Sequence, residues 1–255
     1  MENIMRVIVQ LTKADKRRWR DLWELINSEI QIKREIRNRL KIRKKAPTDQ
    51  EIWDALVIGL VTSQQKSGKN SVVNLFLSEI RKQEQFNLQQ LCDRPELIEK
   101  IPYFEKLRFN KKIYDFMTDA LDKYKNNHWK IIKSAFKDLM KGTSNLTKER
   151  EVANELQTYF KGIGLKQSRN ILQSLHLSRY MIPLDSKVMR IMKSMNNGKS
   201  LVGTIALQDQ IIYMEIENVI NDLCEDLKVL PCYFDGVLFH HTDEIEELIS
   251  GFSKN

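Results

Sequence analysis

The sequence predicts an all-α fold, and three observations carry that prediction. Gly and Pro number only nine and five in 255 residues, and helix interiors tolerate few of either. Apolar residues recur at spacings of three and four, the period of a helix that buries one face. No two neighbouring segments alternate apolar and polar residues as paired strands do. With 42% apolar and 30% charged residues, the chain has material for a sizeable core and lies outside the composition of disordered proteins. Its length suits one large domain or two small ones.

Taken in order, the opening MENIMRVIVQLTKADKRRWR meets charge too soon for a signal peptide. Trp19, Trp23, Ile26 and Ile30 then recur at helical spacing, as do Ile32, Ile36 and Leu40. These predict amphipathic helices with strongly basic outer faces. Such a face reads either as solvated surface or as a phosphate contact. Thr48 followed by Glu51 forms a capping box. It opens a helix, EIWDALVIGLVTS, that is apolar nearly all round and so central to the core. A polar loop, Ser63–Lys69, ends it, and Val72, Val73, Phe76 and Ile80 mark the next helix.

Amphipathic segments follow over roughly 87–100, 110–124, 128–140 and 148–160, with a break at Gly142–Asn145. Residues 165–177 read as a helix with Leu165, Ser168, Leu172 and Leu175 along one side. A short helix starts near 186, a polar break falls at Asn196–Gly198, and Ile212, Ile216, Val219, Leu223 and Leu227 mark a long helix.

Several classes of function are excluded. Cys92, Cys224 and Cys232 are odd in number and widely spaced, so they form neither a disulfide framework nor a four-thiolate cluster. The four histidines have no zinc-ligand spacing. Runs such as Ala55–Val61 fall far short of the ~20 residues that span a bilayer. The expectation is a soluble intracellular protein, cytoplasmic or at the nucleoid. Lys+Arg 42 against Asp+Glu 34 leaves a net charge of +8, which points to an anionic partner, nucleic acid first.

The stretch that carries chemistry is Phe160-Lys161-Gly162-Ile163-Gly164-Leu165-Lys166. Gly162 and Gly164 allow a tight turn, Ile163 can anchor it in the core, and the following helix presents unpaired N–H groups, a site for a phosphate. Lys166 opens that helix. Asp185 follows within Ile182-Pro183-Leu184-Asp185-Ser186-Lys187-Val188-Met189-Arg190, at a helix N-cap. Read singly, the glycines are a plain helix–helix turn, Lys166 is a surface residue and Asp185 a cap.

Read together, FKGIGLKQSRNIL and IPLDSKVMR resemble the helix-hairpin-helix DNA glycosylase superfamily. Its pattern is L-P-G-V-G-x-K, then about nineteen residues on, V-D-x-H-V-x-R. The Gly-apolar-Gly, the Lys, the spacing, the Asp and the Arg match. Phe160-Lys161 stands for Leu-Pro, and Lys187 for the usual His or Asn. EIWDALVIGLVTSQQKSGKN is similar to the family's early core helix and the loop that fills the gap left by an everted base. Pro231–Phe239 resembles the last pocket-lining segment of the 8-oxoguanine branch. The resemblance spans most of residues 50–240, with its specific part at 160–190, and the absence of a cysteine cluster matches the branch without iron–sulfur.

The resemblance implies two helical subdomains. A six-helix barrel at 52–178 ends in the hairpin, and a second bundle combines 1–51 with 179–255. The cleft between them would hold Lys166 on one wall and Asp185 on the other. It implies a double-stranded DNA substrate with one everted nucleotide, bound by a monomer away from any membrane. Lys166 would be the nucleophile at C1′, which requires the neutral amine, and Asp185 would stabilise positive charge on the sugar. Gln65 would fill the vacated stack. Lys66, Lys69, Gly162, Gly164, Lys187 and Arg190 would hold the backbone. Asp235 would read the base edge, and Phe239, one helical turn on, would stack on its face. No cofactor is required, and the hairpin offers a place for a structural K+ or Na+. The expected activity is a bifunctional glycosylase/lyase for 8-oxoguanine. A glycosylase for another base, such as a modified cytosine, and a non-catalytic helix-hairpin-helix DNA-binding module are the alternatives.

Overall fold

A computed structural model describes residues 11–41, 43–63, 65, 68, 70–82, 86–141, 145–196 and 206–252. Among these the regular structure is helical, without a strand. In chain order the α-helices are α1 (Lys13–Glu29), α2 (Arg34–Asn38), α3 (Asp49–Val61), α4 (Val72–Lys82), α5 (Leu88–Asp93), α6 (Asn110–Lys125), α7 (Lys130–Lys141), α8 (Leu146–Tyr159), α9 (Leu165–Ser174), α10 (Ser186–Met195), α11 (Gln210–Asp226), α12 (Pro231–His240) and α13 (Thr242–Phe252).

The chain divides into two compact units, Arg43–Leu177 and Met1–Ile42 with Ser178–Asn255. The first division falls earlier than the boundary at 51/52 read from the sequence. Arg43 explains this: its guanidinium meets Glu51 Oε2 at 2.6 Å and Lys45 O at 2.6 Å, and reaches Leu175 O at 3.4 Å. The Arg43 hydrogen bond holds the Glu51 carboxyl below its ordinary range.

In the Arg43–Leu177 unit, α3 starts at the expected capping box. Glu51 N donates to Thr48 Oγ1 and Thr48 N donates to Glu51 Oε2. Its buried Ile52, Trp53, Leu56 and Leu60 make it the helix against which α5, α6 and α9 pack. The segment at 87–100 is not one helix. Pro95 disfavours helical backbone at Arg94 (φ −139°, ψ 68°), so α5 stops at Asp93 and a 3-10 turn, Pro95–Leu97, follows. Helix α9 ends at Ser174, short of the expected 177. His176 turns left-handed (φ 54°), and Leu177 N donates back to Leu172 O at 2.8 Å.

In the other unit, α1 and α12 share an aromatic core. Phe234 lies 5.5 Å from Trp19 and 5.4 Å from Trp23 between ring centres. The helix expected through Ile32, Ile36 and Leu40 shrinks to the five residues of α2, and Leu40 is exposed. Lys33, Arg34, Arg37 and Lys41 place cation beside cation at spacings of three and four, with Glu35 the acidic residue among them, and like charges at those spacings oppose a helix. Helix α13 was not anticipated. Its signal was present in Asp243 and Glu244 at the start and in Ile245, Leu248 and Ile249 behind them.

Candidate functional site

The turn between α8 and α9 is built as its glycines require. Gly162 has φ +81°, and a Cβ there would lie 2.3 Å from Phe116 Cδ2 and 2.8 Å from Leu60 Cδ2. Only glycine fits. Ile163 is buried, and so is Phe160, whose ring meets Trp129 edge-on at 5.8 Å. Asp119 on α6 ties the turn down by accepting Lys161 Nζ and Lys123 Nζ, each at 2.7 Å. Burial pushes the Asp119 carboxyl up, but the two ammonium hydrogen bonds outweigh it and hold the group below its ordinary value. Lys123 Nζ also donates to Tyr159 O. The sequence shows only the i,i+4 pair of Asp119 and Lys123, because Asp119 and Lys161 meet only in the fold.

Gly164 differs from Gly162. Its backbone is extended (φ −99°, ψ −170°), and the nearest atom to a Cβ there would be Gln167 Oε1 at 3.6 Å. It is the N-cap of α9 without a side-chain acceptor, so the N–H groups of Leu165, Lys166 and Gln167 have no partner among the described residues. Lys166 is half-buried, and its ammonium makes no hydrogen bond or ion pair among the described residues. The N-terminus of α9 thus combines unsatisfied donors, which suit an anion, with an uncommitted amine.

Asp185 is the N-cap of α10 and is buried. Lys187 N and Val188 N both donate to its Oδ1, at 2.9 Å each, leaving Oδ2 without a partner among the described residues. The segment before it is held by α11. Tyr213 Oη donates to Ile182 O at 3.0 Å and accepts from Leu184 N at 2.8 Å, and Ile182 N donates to the fully buried Glu217 at 3.2 Å. Neither Tyr213 nor Glu217 stood out in the sequence.

Around Asp185 the structure joins two further expected residues. Lys187 Nζ lies 4.5 Å from the Phe239 ring centre and donates to Phe239 O at 3.1 Å. Arg190 is engaged with α13, its Nε 2.5 Å from Glu246 Oε1. Asp235 is buried, and Arg39 Nη1 lies 2.8 Å from its Oδ2. That ion pair spans 196 positions and leaves no trace in local sequence.

In the Arg43–Leu177 unit both ends of the Gln65 amide are engaged. Nε2 donates to Val61 O at 2.6 Å, and Arg108 N donates to Oε1 at 3.0 Å. Lys66 and Lys69 lie outside the described residues. The residue after Arg108 is one that sequence reasoning missed. Phe109 is 42% exposed and left-handed (φ 63°), with the Arg108 guanidinium 4.6 Å and Lys112 Nζ 6.0 Å from its ring centre. A bulky residue in that backbone region is strained, and such strain concentrates at functional positions. The signal was Arg108-Phe109-Asn110-Lys111-Lys112, an aromatic among cations.

Among the described residues no helix is long and apolar enough to cross a membrane, and no three His, Cys, Asp or Glu side chains group to hold a metal ion. No protein-family model and no curated protein matches the chain. Among solved structures, the 8-oxoguanine DNA glycosylase of Methanocaldococcus jannaschii superposes with a TM-score of 0.59 at 20% identity, covering 86% of this chain and 91% of that one. The chain has the fold of that glycosylase. That all-helical fold is the one the resemblance at Gly162–Lys166 and Asp185 implies.

Proposed function

We propose that this protein is a bifunctional DNA glycosylase/AP lyase acting on an everted nucleotide in duplex DNA, with 8-oxoguanine as the first-ranked base. The observation that carries the reading is Lys166, whose amine has no partner among the described residues and lies beside N–H groups of the hairpin that likewise have none there, in a chain whose N-cap Asp185 keeps one carboxylate oxygen unengaged among those residues. The fold shared with an 8-oxoguanine glycosylase supports it.

In this mechanism the N–H groups of α9 receive a phosphate. Phe109, flanked by Arg108 and Lys112, supplies an aromatic face for the bases around the everted nucleotide, and Gln65 braces Arg108. Neutral Lys166 attacks C1′ as the N-glycosidic bond breaks, and the base leaves with a proton. The Asp185 carboxylate stabilises the positive charge that develops on the sugar. The C1′–O4′ bond then breaks, O4′ leaving as a protonated 4′ hydroxyl, and the resulting protonated imine between Nζ and C1′ acidifies the C2′ proton. Its loss expels the 3′ phosphate by β-elimination and cuts the strand. Phe239 stacks on the base and Asp235 faces its edge.

Borohydride trapping on duplexes carrying 8-oxoguanine, an abasic site, modified cytosines or normal bases tests this reading. Wild type should give a covalent complex that Lys166→Gln abolishes, and the base that yields it names the substrate. Trapping with a modified cytosine alone keeps the mechanism and replaces the base. Binding to every duplex without trapping or cleavage would make the chain a DNA-binding module.

A further inference from the structure

Helix α2 owes its seat to Gly236. A Cβ at 236 would lie 2.9 Å from Ile36 Cγ2 and 3.2 Å from both Cδ and Nε of Arg39, so glycine is what lets Ile36 and the Arg39 stem lie against α12. From there Arg39 Nη1 reaches Asp235 Oδ2 at 2.8 Å and Cys232 O at 3.3 Å. The side chains of Arg39 and Asp235 are 24% and 7% exposed. A shielded ion pair of this kind gains little stability over apolar residues of similar size, so stability alone does not account for it. Burial disfavours the charged form of a carboxylate, and a cation beside it offsets that; on protonation the group would turn from acceptor into donor.

We propose that Arg39 is a positioning residue for base recognition, holding Asp235 as an ionised, oriented acceptor so that position 235 selects a base that presents N–H donors, as the Watson–Crick edge of a guanine-type base does. This rests on the glycosylase reading above, which makes α12 the base-facing helix, and it draws α2 into that recognition. Several titratable groups on elements packed against α12 are neutral or engaged elsewhere, while Arg37 of α2 acts on Tyr233 and Arg179 lends its carbonyl to Cys232 N. Burial, then Cys232 and Asp235, push the Cys224 thiol of α11 well up, which keeps it neutral. Lys187 of α10 is turned onto Phe239, and Glu244 of α13 is taken by His241. Burial, then Arg39 and Lys33, lower His240, so it is uncharged at neutral pH, with Glu35 opposing weakly.

The test compares wild type with Arg39→Gln, Arg39→Lys and Asp235→Asn, each checked for folding by thermal unfolding. The carboxyl 13C resonance of Asp235, assigned by its loss in Asp235→Asn, is titrated. Single-turnover release of 8-oxoguanine is followed from pH 6 to 9, beside borohydride trapping on an abasic duplex that has no base to read. Arg39→Gln should move the Asp235 midpoint up by about three pH units, into the titrated range. Base release should fall about tenfold at the acid end and recover toward pH 9, with abasic trapping within about twofold of wild type, and Arg39→Lys should restore most of the loss. An unmoved Asp235 midpoint, or a loss of release that is flat with pH, overturns the proposal. Wild-type trapping at the abasic site without 8-oxoguanine release overturns the guanine-type assignment. Absence of wild-type trapping sinks the glycosylase reading itself, and the base-reading role of Arg39 with it.

Discussion

The Tyr213 hydroxyl and the backbone of Leu184 form one of the hydrogen bonds that fix the approach to Asp185. Leu184 N donates to Oη at 2.8 Å while Oη donates to Ile182 O at 3.0 Å, both buried. The peptide ahead of the cap is thus clamped from α11 before Asp185 begins α10. Tyr213→Phe keeps the ring and leaves both backbone groups unsatisfied. It should cost about 1–3 kcal/mol in denaturant unfolding and slow base release more than it weakens DNA binding.

Gly162 and Gly164 should separate folding from binding. Gly162→Ala forces a methyl into Phe116 at positive φ, and unfolding should register a loss of roughly 2–4 kcal/mol. Gly164→Ala meets Gln167 Oε1 at an ordinary contact distance of 3.6 Å, so stability should stay within about 0.5 kcal/mol. Its DNA affinity, measured by fluorescence anisotropy, should nevertheless fall, because the methyl stands at the entrance to the α9 N–H groups.

Asp185 has a structural and a chemical duty, and two substitutions tell them apart. Asn caps a helix about as well as Asp, so Asp185→Asn should leave the unfolding midpoint nearly unchanged while reducing the yield of trapped complex. Asp185→Ala should lose the cap as well, about 1 kcal/mol.

Phe109 should matter to DNA and little to the fold. Phe109→Gly relieves left-handed strain and so should hold or raise the melting temperature. It should lower affinity for duplexes with a displaced base by about 1–3 kcal/mol. Arg108→Ala and Lys112→Ala should instead reduce the dependence of affinity on salt, each by about one unit of slope.

The Asp119 brace sets a pH signature. Its folded pKa lies below the unfolded value, so its contribution is fully present above the unfolded carboxylate range, near ~4. It is lost as pH falls through the folded value. Wild type should therefore melt higher than Asp119→Asn by an amount near 1 kcal/mol, roughly 2–4 °C. The gap should be constant above about pH 5 and close toward pH 3, as read by thermal scans across that range.

Local rules made much of this molecule legible. Thr48 and Glu51, Gly162 with Ile163, and Asp185 ahead of α10 each follow from chemistry within a few residues, and each is where sequence reasoning puts it. The short α2 and the break at Arg94 were also written locally, in a run of cations and in Pro95, yet an apolar spacing masked them. What sequence could not supply are the meetings of distant residues: Arg39 with Asp235, Tyr213 with Leu184, Arg108 with Gln65. Such pairs carry no period. They exist because the chain brings two helices or loops together, and they supply much of the positioning around the candidate residues.

The split of one unit between the two ends of the chain has a consequence for biogenesis. Residues Arg43–Leu177 are contiguous and can complete their core as they leave the ribosome, whereas Trp19 and Trp23 are made long before Phe234 and Arg20 long before Asp226. At ordinary elongation rates that wait is roughly 10–40 s. Through it a basic amphipathic helix stands without its partner, and its two indoles are the surface that a nascent-chain chaperone would find.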